Sequence, residues 1–239
     1  MARPVPGTAD HDRPAPAPGT IGFFDSGVGG VSVVREFRRL RPEAAVFYIA
    51  DWEYCPYGGK PESLVRARAH DITRMLLAQG CQVIVVACNT ATAVAIDSLR
   101  TTFDVPFVGM EPAVKPAALH SKSGVVGILA TENTFHGRLF KETSARFADR
   151  ARIVTAVGRG FVERVEAGDL DSPGTEAAVR EAIQPLLDVG VDHLVLGCTH
   201  YPFLKPVIQK VAGPGVVIVD PSLPVARRAA ELLDGCAAT

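Results

Sequence analysis

Two of the five cysteines stand in matched surroundings. Leu76-Leu77-x-x-Gly80 precedes an apolar run over 83–87 and then Cys88-Asn89-Thr90. Leu186-Leu187-x-x-Gly190 precedes a second run and then Cys198-Thr199-His200, 110 positions later with no gap. Each thiol follows a run that reads as a buried strand, and the polar residues after it read as a helix start. Asn89 or Thr90 would cap a helix over 91–100, and Thr199 would cap the next, with Pro202 in its first turn. A cysteine at a helix N-terminus meets the positive end of the dipole, which predicts a thiol pKa lowered from about 8.5. Two such thiols facing each other across a cleft make a symmetric acid/base pair. One takes a proton from carbon while the other delivers one to the opposite face, which is stereoinversion at a carbon acid. One cysteine alone in such a setting would read as a buried small hydrophobe. The repeat is what makes the pair catalytic candidates.

Other residues add to this chemistry or compete with it. Asp25-Ser26-Gly27-Val28-Gly29-Gly30 follows the first apolar run. A dinucleotide-binding turn is one reading, with Asp51 as the ribose acid. The glycine spacing is not GxGxxG, and Asp25 would put a negative charge where a pyrophosphate must sit. The better reading is a tight turn that offers N–H groups to a carboxylate and holds Asp25 beside a thiol. His200, two residues past Cys198, is a plausible proton partner for it. His11, His70, His120, His136 and His193 form no usable spacing. Cys55-Pro56-Tyr57-Gly58 is a turn by composition. The odd cysteine count, wide spacing and lack of a CxxC pair argue against a disulfide framework or a zinc cage. No metal and no cofactor are expected. The final Cys236-Ala-Ala-Thr239 has the outline of a prenylation box, but threonine is a poor last residue and nothing polybasic precedes it.

Holding two thiols in equivalent places requires two equivalent units. Apolar runs over 21–24, 46–50, 83–87, 106–110, 125–130, 153–157, 194–197 and 216–219 alternate with amphipathic stretches such as 61–79 and 175–189. Most runs are apolar at consecutive positions, which predicts parallel strands buried on both faces. The class is therefore α/β, with two similar lobes, each a mostly parallel sheet flanked by helices. A pseudo-two-fold axis would relate them, with the active site in the cleft between. Fainter echoes agree: Gly22-Phe23-Phe24-Asp25-Ser26 with Gly127-Ile128-Leu129-Ala130-Thr131, and Met110-Glu111-Pro112 with Val219-Asp220-Pro221. The expected division is residues 21–112 plus 224–239 for the first lobe and 113–223 for the second. Residues 1–20, broken by five prolines, read as a disordered tail.

Composition narrows the partners. The chain has 239 residues, 47% hydrophobic and 21% charged, with a formal net charge of −1. That balance gives no pull toward nucleic acid or an acidic membrane. No run is long enough to span a membrane, and no signal segment is visible, so a cytoplasmic location is expected. A small-molecule substrate and a second copy of the chain, as a homodimer, are the expected partners.

Phe24-Asp25-Ser26-Gly27-Val28-Gly29-Gly30, Pro56-Tyr57-Gly58, Ala87-Cys88-Asn89-Thr90-Ala91 and Leu196-Gly197-Cys198-Thr199-His200-Tyr201-Pro202 together resemble the glutamate racemases of the aspartate/glutamate racemase superfamily. The resemblance runs in the same order over roughly residues 20–235. It implies a cofactor-free bacterial enzyme of the cytoplasm that supplies D-glutamate for peptidoglycan. It further implies that Cys88 deprotonates D-glutamate and Cys198 L-glutamate, with Asp25 assisting Cys88 and His200 assisting Cys198. Glu166 resembles a family acid near the same site. Ser26, Tyr57, Gly58, Asn89, Thr90, Thr131 and Thr199 resemble substrate-binding positions. Trp52-Glu53-Tyr54-Cys55 and Gly158-Arg159-Gly160 depart from the family pattern near the expected cleft. The alternatives are a racemase for aspartate or another acidic amino acid, a nucleotide-dependent α/β enzyme, and a non-catalytic amino-acid-binding protein.

Overall fold

The computed structural model describes residues 19–237. Most of the expected tail lies outside them, as do the last two residues of the Cys236-Ala-Ala-Thr239 segment. Thr20, which the sequence reading placed in the tail, belongs to the first strand.

The first sheet is built from β1 (Thr20–Asp25), β2 (Ala45–Ala50), β3 (Val83–Val86) and β4 (Phe107–Gly109). They are interleaved with α1 (Val31–Leu40), α2 (Glu62–Ala78) and α3 (Asn89–Thr102). After α4 (Val114–His120) comes the second sheet: β5 (Val125–Ala130), β6 (Arg152–Val157), β7 (His193–Gly197) and β8 (Val217–Val219). Its helices are α5 (Glu132–His136), α6 (Arg138–Arg146), α7 (Phe161–Glu166), α8 (Pro173–Asp188) and α9 (Lys205–Ala212). The last helix, α10 (Ser222–Ala237), returns to pack on α1 and on β3 and β4 of the first sheet.

The strand orders are β2-β1-β3-β4 and β6-β5-β7-β8, with every pairing parallel. The two sheets thus share one topology, and the repeat in the sequence is a repeat in the fold. In each sheet the chain leaves the first strand toward one edge and comes back on its other side. That leaves a crevice between β1 and β3, and between β5 and β7, at the strands' carboxyl ends. Ligands of open parallel sheets collect at such switch points.

Burial follows position in the sheet. β1, β3 and β7 are buried throughout, as their unbroken apolar runs predict. The edge strands β2 and β6 are only half-buried, which corrects the expectation for those two runs. An edge strand has a neighbour on one side only, so its apolar residues keep some contact with water.

The helices show the matching periodicity. α2 buries Val65, Ala69, Ile72, Thr73 and Leu76, and α8 buries Thr175, Val179, Ile183 and Leu186. Spacings of three and four residues put each set on one face against its sheet. α8 starts cleanly: the Ser172 hydroxyl accepts from Thr175 N–H at 3.2 Å, with Pro173 in the first turn. No helix among the described residues is long and apolar enough to cross a membrane.

Candidate active site

Both sheets end in the same cleft. Asp25 closes β1, Cys88 stands two residues past β3, Thr131 follows β5, and Cys198 follows β7. A narrow hollow is lined by these four residues together with Ser26, Tyr57, Gly58, Asn89, Thr90, Thr199 and His200. Every catalytic or substrate-binding residue that the resemblance implied lines this hollow except Glu166, which bonds to His200, one that does. Pro56 and Val162 complete the wall and were not singled out.

The two thiols are held differently. Cys88 is itself the cap of α3: its sulfur accepts the Ala91 N–H at 3.5 Å. This corrects the expectation that Asn89 or Thr90 would cap, since both already lie inside the helix. It also places a thiol sulfur directly on the helix N-terminus. Even so, burial and the nearby Asp25 carboxyl push the Cys88 thiol well up, against the expected lowering. One N–H bond does not offset full removal from water plus a neighbouring negative charge.

Thr199 caps nothing either. Its hydroxyl donates to Asp25 Oδ2 at 2.8 Å, and the 3-10 turn Tyr201–Leu204 that follows has no side-chain cap. Pro202 does sit in the first turn of that element. Asp25 is fully buried, and burial raises its pKa despite the His200 charge and the bonds from Thr199, Cys88 and the Ser26 N–H.

His200 bridges to the other carboxylate. Its Nδ1 lies 3.9 Å from Cys198 Sγ, and its Nε2 lies 2.6 Å from Glu166 Oε1. Burial disfavours its charge, but bonds to Cys198, Cys55 and Glu166 outweigh this and hold the ring protonated. Glu166 is lowered in turn: burial opposes its ionisation, and bonds from His200 and the Val28 N–H override it. Val28 N–H reaches Glu166 Oε1 at 2.8 Å. The turn after β1 was expected to offer its N–H groups to a bound carboxylate. Two of these N–H groups, those of Ser26 and Val28, go to Asp25 and Glu166 of this chain.

The glycines of that turn make this approach possible. A Cβ on Gly27 would lie 1.8 Å from Glu166 Oε1, and one on Gly29 would lie 2.3 Å from His200 Nδ1. Across the cleft, Thr90 and Thr131 hydroxyls meet at 2.9 Å, and Thr131 meets Thr134 at 2.9 Å.

Asn89 donates to Met110 O at 3.2 Å, but its buried Oδ1 has no hydrogen-bond partner among the described residues. A buried acceptor left bare costs roughly 1–3 kcal/mol, so it suits a ligand donor such as an ammonium group. Tyr57 presents no hydroxyl to the cleft; the hydroxyl donates to Asp51, which also takes a two-pronged contact from Arg68 at 2.7 and 2.9 Å. Asp51 is fully engaged in this way, which removes the ribose contact that a dinucleotide reading needs.

Sequence reasoning passed over Cys55. It lies 3.7 Å from Glu166 Oε1 and 4.0 Å from the Ser26 hydroxyl. The one available signal was a third cysteine directly before Pro56-Tyr57-Gly58. The second unusual segment, 158–160, lines a larger, open adjoining hollow, where Arg159 pairs with Glu132 at 2.9 Å.

Comparison with known proteins agrees with this arrangement. Residues 32–229 match the sequence profile of the family described as Asp/Glu/Hydantoin racemase. The chain belongs to this racemase family. Within it, the similar curated relatives are glutamate racemases. That of Herpetosiphon aurantiacus is 48% identical over 89% of this chain and 84% of its own length. That of Methylococcus capsulatus is 49% identical over 90% of this chain and 79% of its own. Among solved structures, Escherichia coli glutamate racemase, in complex with L-glutamate and the activator UDP-MurNAc-Ala, superposes with a TM-score of 0.84. It is 38% identical and covers 92% of this chain and 83% of its own.

Proposed function

We propose that this protein interconverts L- and D-glutamate by proton transfer at the α-carbon between Cys88 and Cys198, without a cofactor. The observation that carries the proposal is that two thiols, at equivalent places in two equivalent sheets, line one cleft. The family and the relatives' shared name supply the substrate.

In this reading each thiol has its own assistant. Cys88 rests protonated beside Asp25, whose raised proton affinity suits it to receive the thiol proton when Cys88 acts as base on D-glutamate. Cys198 works from the other face on L-glutamate, with the His200 imidazolium against its sulfur and Glu166 holding the ring. Asn89 Oδ1 accepts from the substrate ammonium. The Thr90 and Thr131 hydroxyls and the backbone at Tyr57 and Gly58 face the carboxylates, and the Ser26 and Thr199 hydroxyls, which rest on Asp25, join them by turning from it to the substrate. Such donors bind a dianion without an arginine that would grip ground state and transition state alike. The product D-glutamate would supply peptidoglycan synthesis in the cytoplasm. Exposed Val28, Val31 and Trp52, at the carboxyl ends of β1 and β2, support a second copy packing there as a homodimer.

Circular dichroism of purified, dialysed protein tests the reading. Either enantiomer of glutamate should lose its signal toward zero, while aspartate should persist. Loss of the aspartate signal alone would replace glutamate as substrate, and restoration of activity only by added pyridoxal phosphate or metal would overturn the two-thiol chemistry.

A further inference from the structure

Cys55 has no part in the proton transfers described above, yet it stands against two groups that do. One ligand atom each from Cys55, Glu166 and His200 lies within 4.8 Å of the others. We infer that these three side chains form a binding site for a zinc-type divalent cation, and that its occupation shuts the enzyme off. The second clause rests on the racemase reading; the first does not.

The ligand set is one thiol, one imidazole and one carboxylate. Sulfur and imidazole nitrogen select zinc and its neighbours over magnesium or calcium, which prefer oxygen alone. Zinc bonds of about 2.3 Å to sulfur and about 2.0–2.2 Å to nitrogen and oxygen place tetrahedral ligands roughly 3.3–3.6 Å apart. The Cys55 sulfur and Glu166 Oε1 are already 3.7 Å apart. His200 Nε2 and Glu166 Oε1, at 2.6 Å, must separate by less than about 1 Å. Space exists because residue 27 is glycine: a Cβ there would sit 3.0 Å from Cys55 Sγ as well as striking Glu166. Cys55 and Glu166 are half-buried, so an ion reaches the site from outside, and a fourth position remains for water.

Binding replaces the Cys55 thiol proton and the proton shared by His200 and Glu166, which leave to solvent. The metal then occupies His200 Nε2 and ties down the ring that assists Cys198. Three residues from distant parts of the chain make the site, so no local spacing announces it.

Cobalt is the probe for the test. The full-length, chelator-treated protein is titrated with Co²⁺, and thiolate-to-cobalt absorption is followed in wild type, Cys55→Ser and Cys55→Ala. Zn²⁺ displaces the cobalt and gives the zinc affinity. We expect one equivalent bound with a thiolate band in wild type, and at least about a tenfold loss of zinc affinity with no band in either variant. Racemisation by wild type should be inhibited by Zn²⁺ and restored by EDTA, whereas Zn²⁺ should leave each variant at its own metal-free rate. A band that survives in the Cys55 variants but vanishes in Cys88→Ser would move the metal to the catalytic thiols and overturn the site. Absence of any thiolate band in wild type would overturn it too. Cys55-dependent metal binding in a protein that racemises nothing would keep the site and sink the functional reading instead.

Discussion

Thr199, next to one thiol, donates its hydroxyl to Asp25, next to the other, at 2.8 Å. This buried bond joins the two halves of the site across 174 positions of the chain. Whatever alters the charge on Asp25 is felt in the second lobe.

Asp25 contacts Cys88, and His200 contacts Cys198. Asp25→Asn should slow turnover of D-glutamate preferentially, and His200→Asn that of L-glutamate, each by about 10²-fold or more. The equilibrium constant between enantiomers is one, so kcat/KM must fall equally in both directions and the asymmetry must be offset in KM. Initial rates from each pure enantiomer check this. Equal losses of kcat in both directions for both variants would refute the division of labour.

Gly29→Ala tests the packing of the turn against His200. Its Cβ would approach His200 Nδ1 to 2.3 Å and Asp25 Oδ2 to 2.7 Å. The ring must shift, and misplacement by about 1 Å costs on the order of 10²-fold in rate. The expected outcome is a large fall in kcat with a denaturation midpoint only modestly lowered. Activity at the wild-type level would mean that His200 is not held where catalysis needs it.

Arg68→Met removes the cation from buried Asp51 while keeping most of the side-chain volume. Asp51 is 6% exposed and would be left with the Tyr57 hydroxyl against an uncompensated charge. A loss of about 3 kcal/mol is expected. Urea denaturation measures it, and KM should rise as well because Tyr57 forms part of the cleft wall. A neutral effect on both would mean that Asp51 does not anchor the Pro56-Tyr57-Gly58 turn.

Asp192 gives a pH signature away from the site. Burial opposes its ionisation, but the Ser121 hydroxyl, His193 and the N–H groups of Lys122 and Ser123 hold its carboxyl below the usual range. The unfolded chain binds the proton more readily, so this contribution is full above about pH 5 and is lost as pH falls through the folded-state pKa. The stability gap between wild type and Asp192→Asn, about 2 kcal/mol near neutrality, should shrink steadily in acid. A gap independent of pH would contradict the assignment.

The fold was legible because both its signals are local. Unbroken Val and Ile runs such as 83–86 mark buried parallel strands, and the 110-residue repeat doubles the evidence from one lobe. The placing of the two cysteines in the cleft was legible for the same reason: each stands within two residues of the end of its strand. Contacts between lobes leave no local trace. Thr199 looks like a cap by neighbourhood but is drawn to Asp25 in the other sheet. Asn89 and Thr90 look like caps because they are polar, while the Cys88 sulfur takes the N–H itself. Cys55 belongs to a cluster completed by residues 166 and 200, so composition showed only a turn. The Cys88 thiol was misjudged because a helix terminus can be seen in sequence and full burial beside a carboxylate cannot.

The central claim is that two single-proton bases act from opposite faces. A thiol carries one proton and exchanges it with solvent between turnovers. D-glutamate is incubated with enzyme in deuterium oxide, stopped at low conversion, separated by chirality and weighed by mass spectrometry. The account predicts that the L-glutamate formed carries one deuterium while the remaining D-glutamate carries essentially none, with the mirror result from L-glutamate. Deuterium appearing equally in product and recovered substrate from the first turnovers would mean that one base serves both faces, and would contradict the pairing of Cys88 with Cys198.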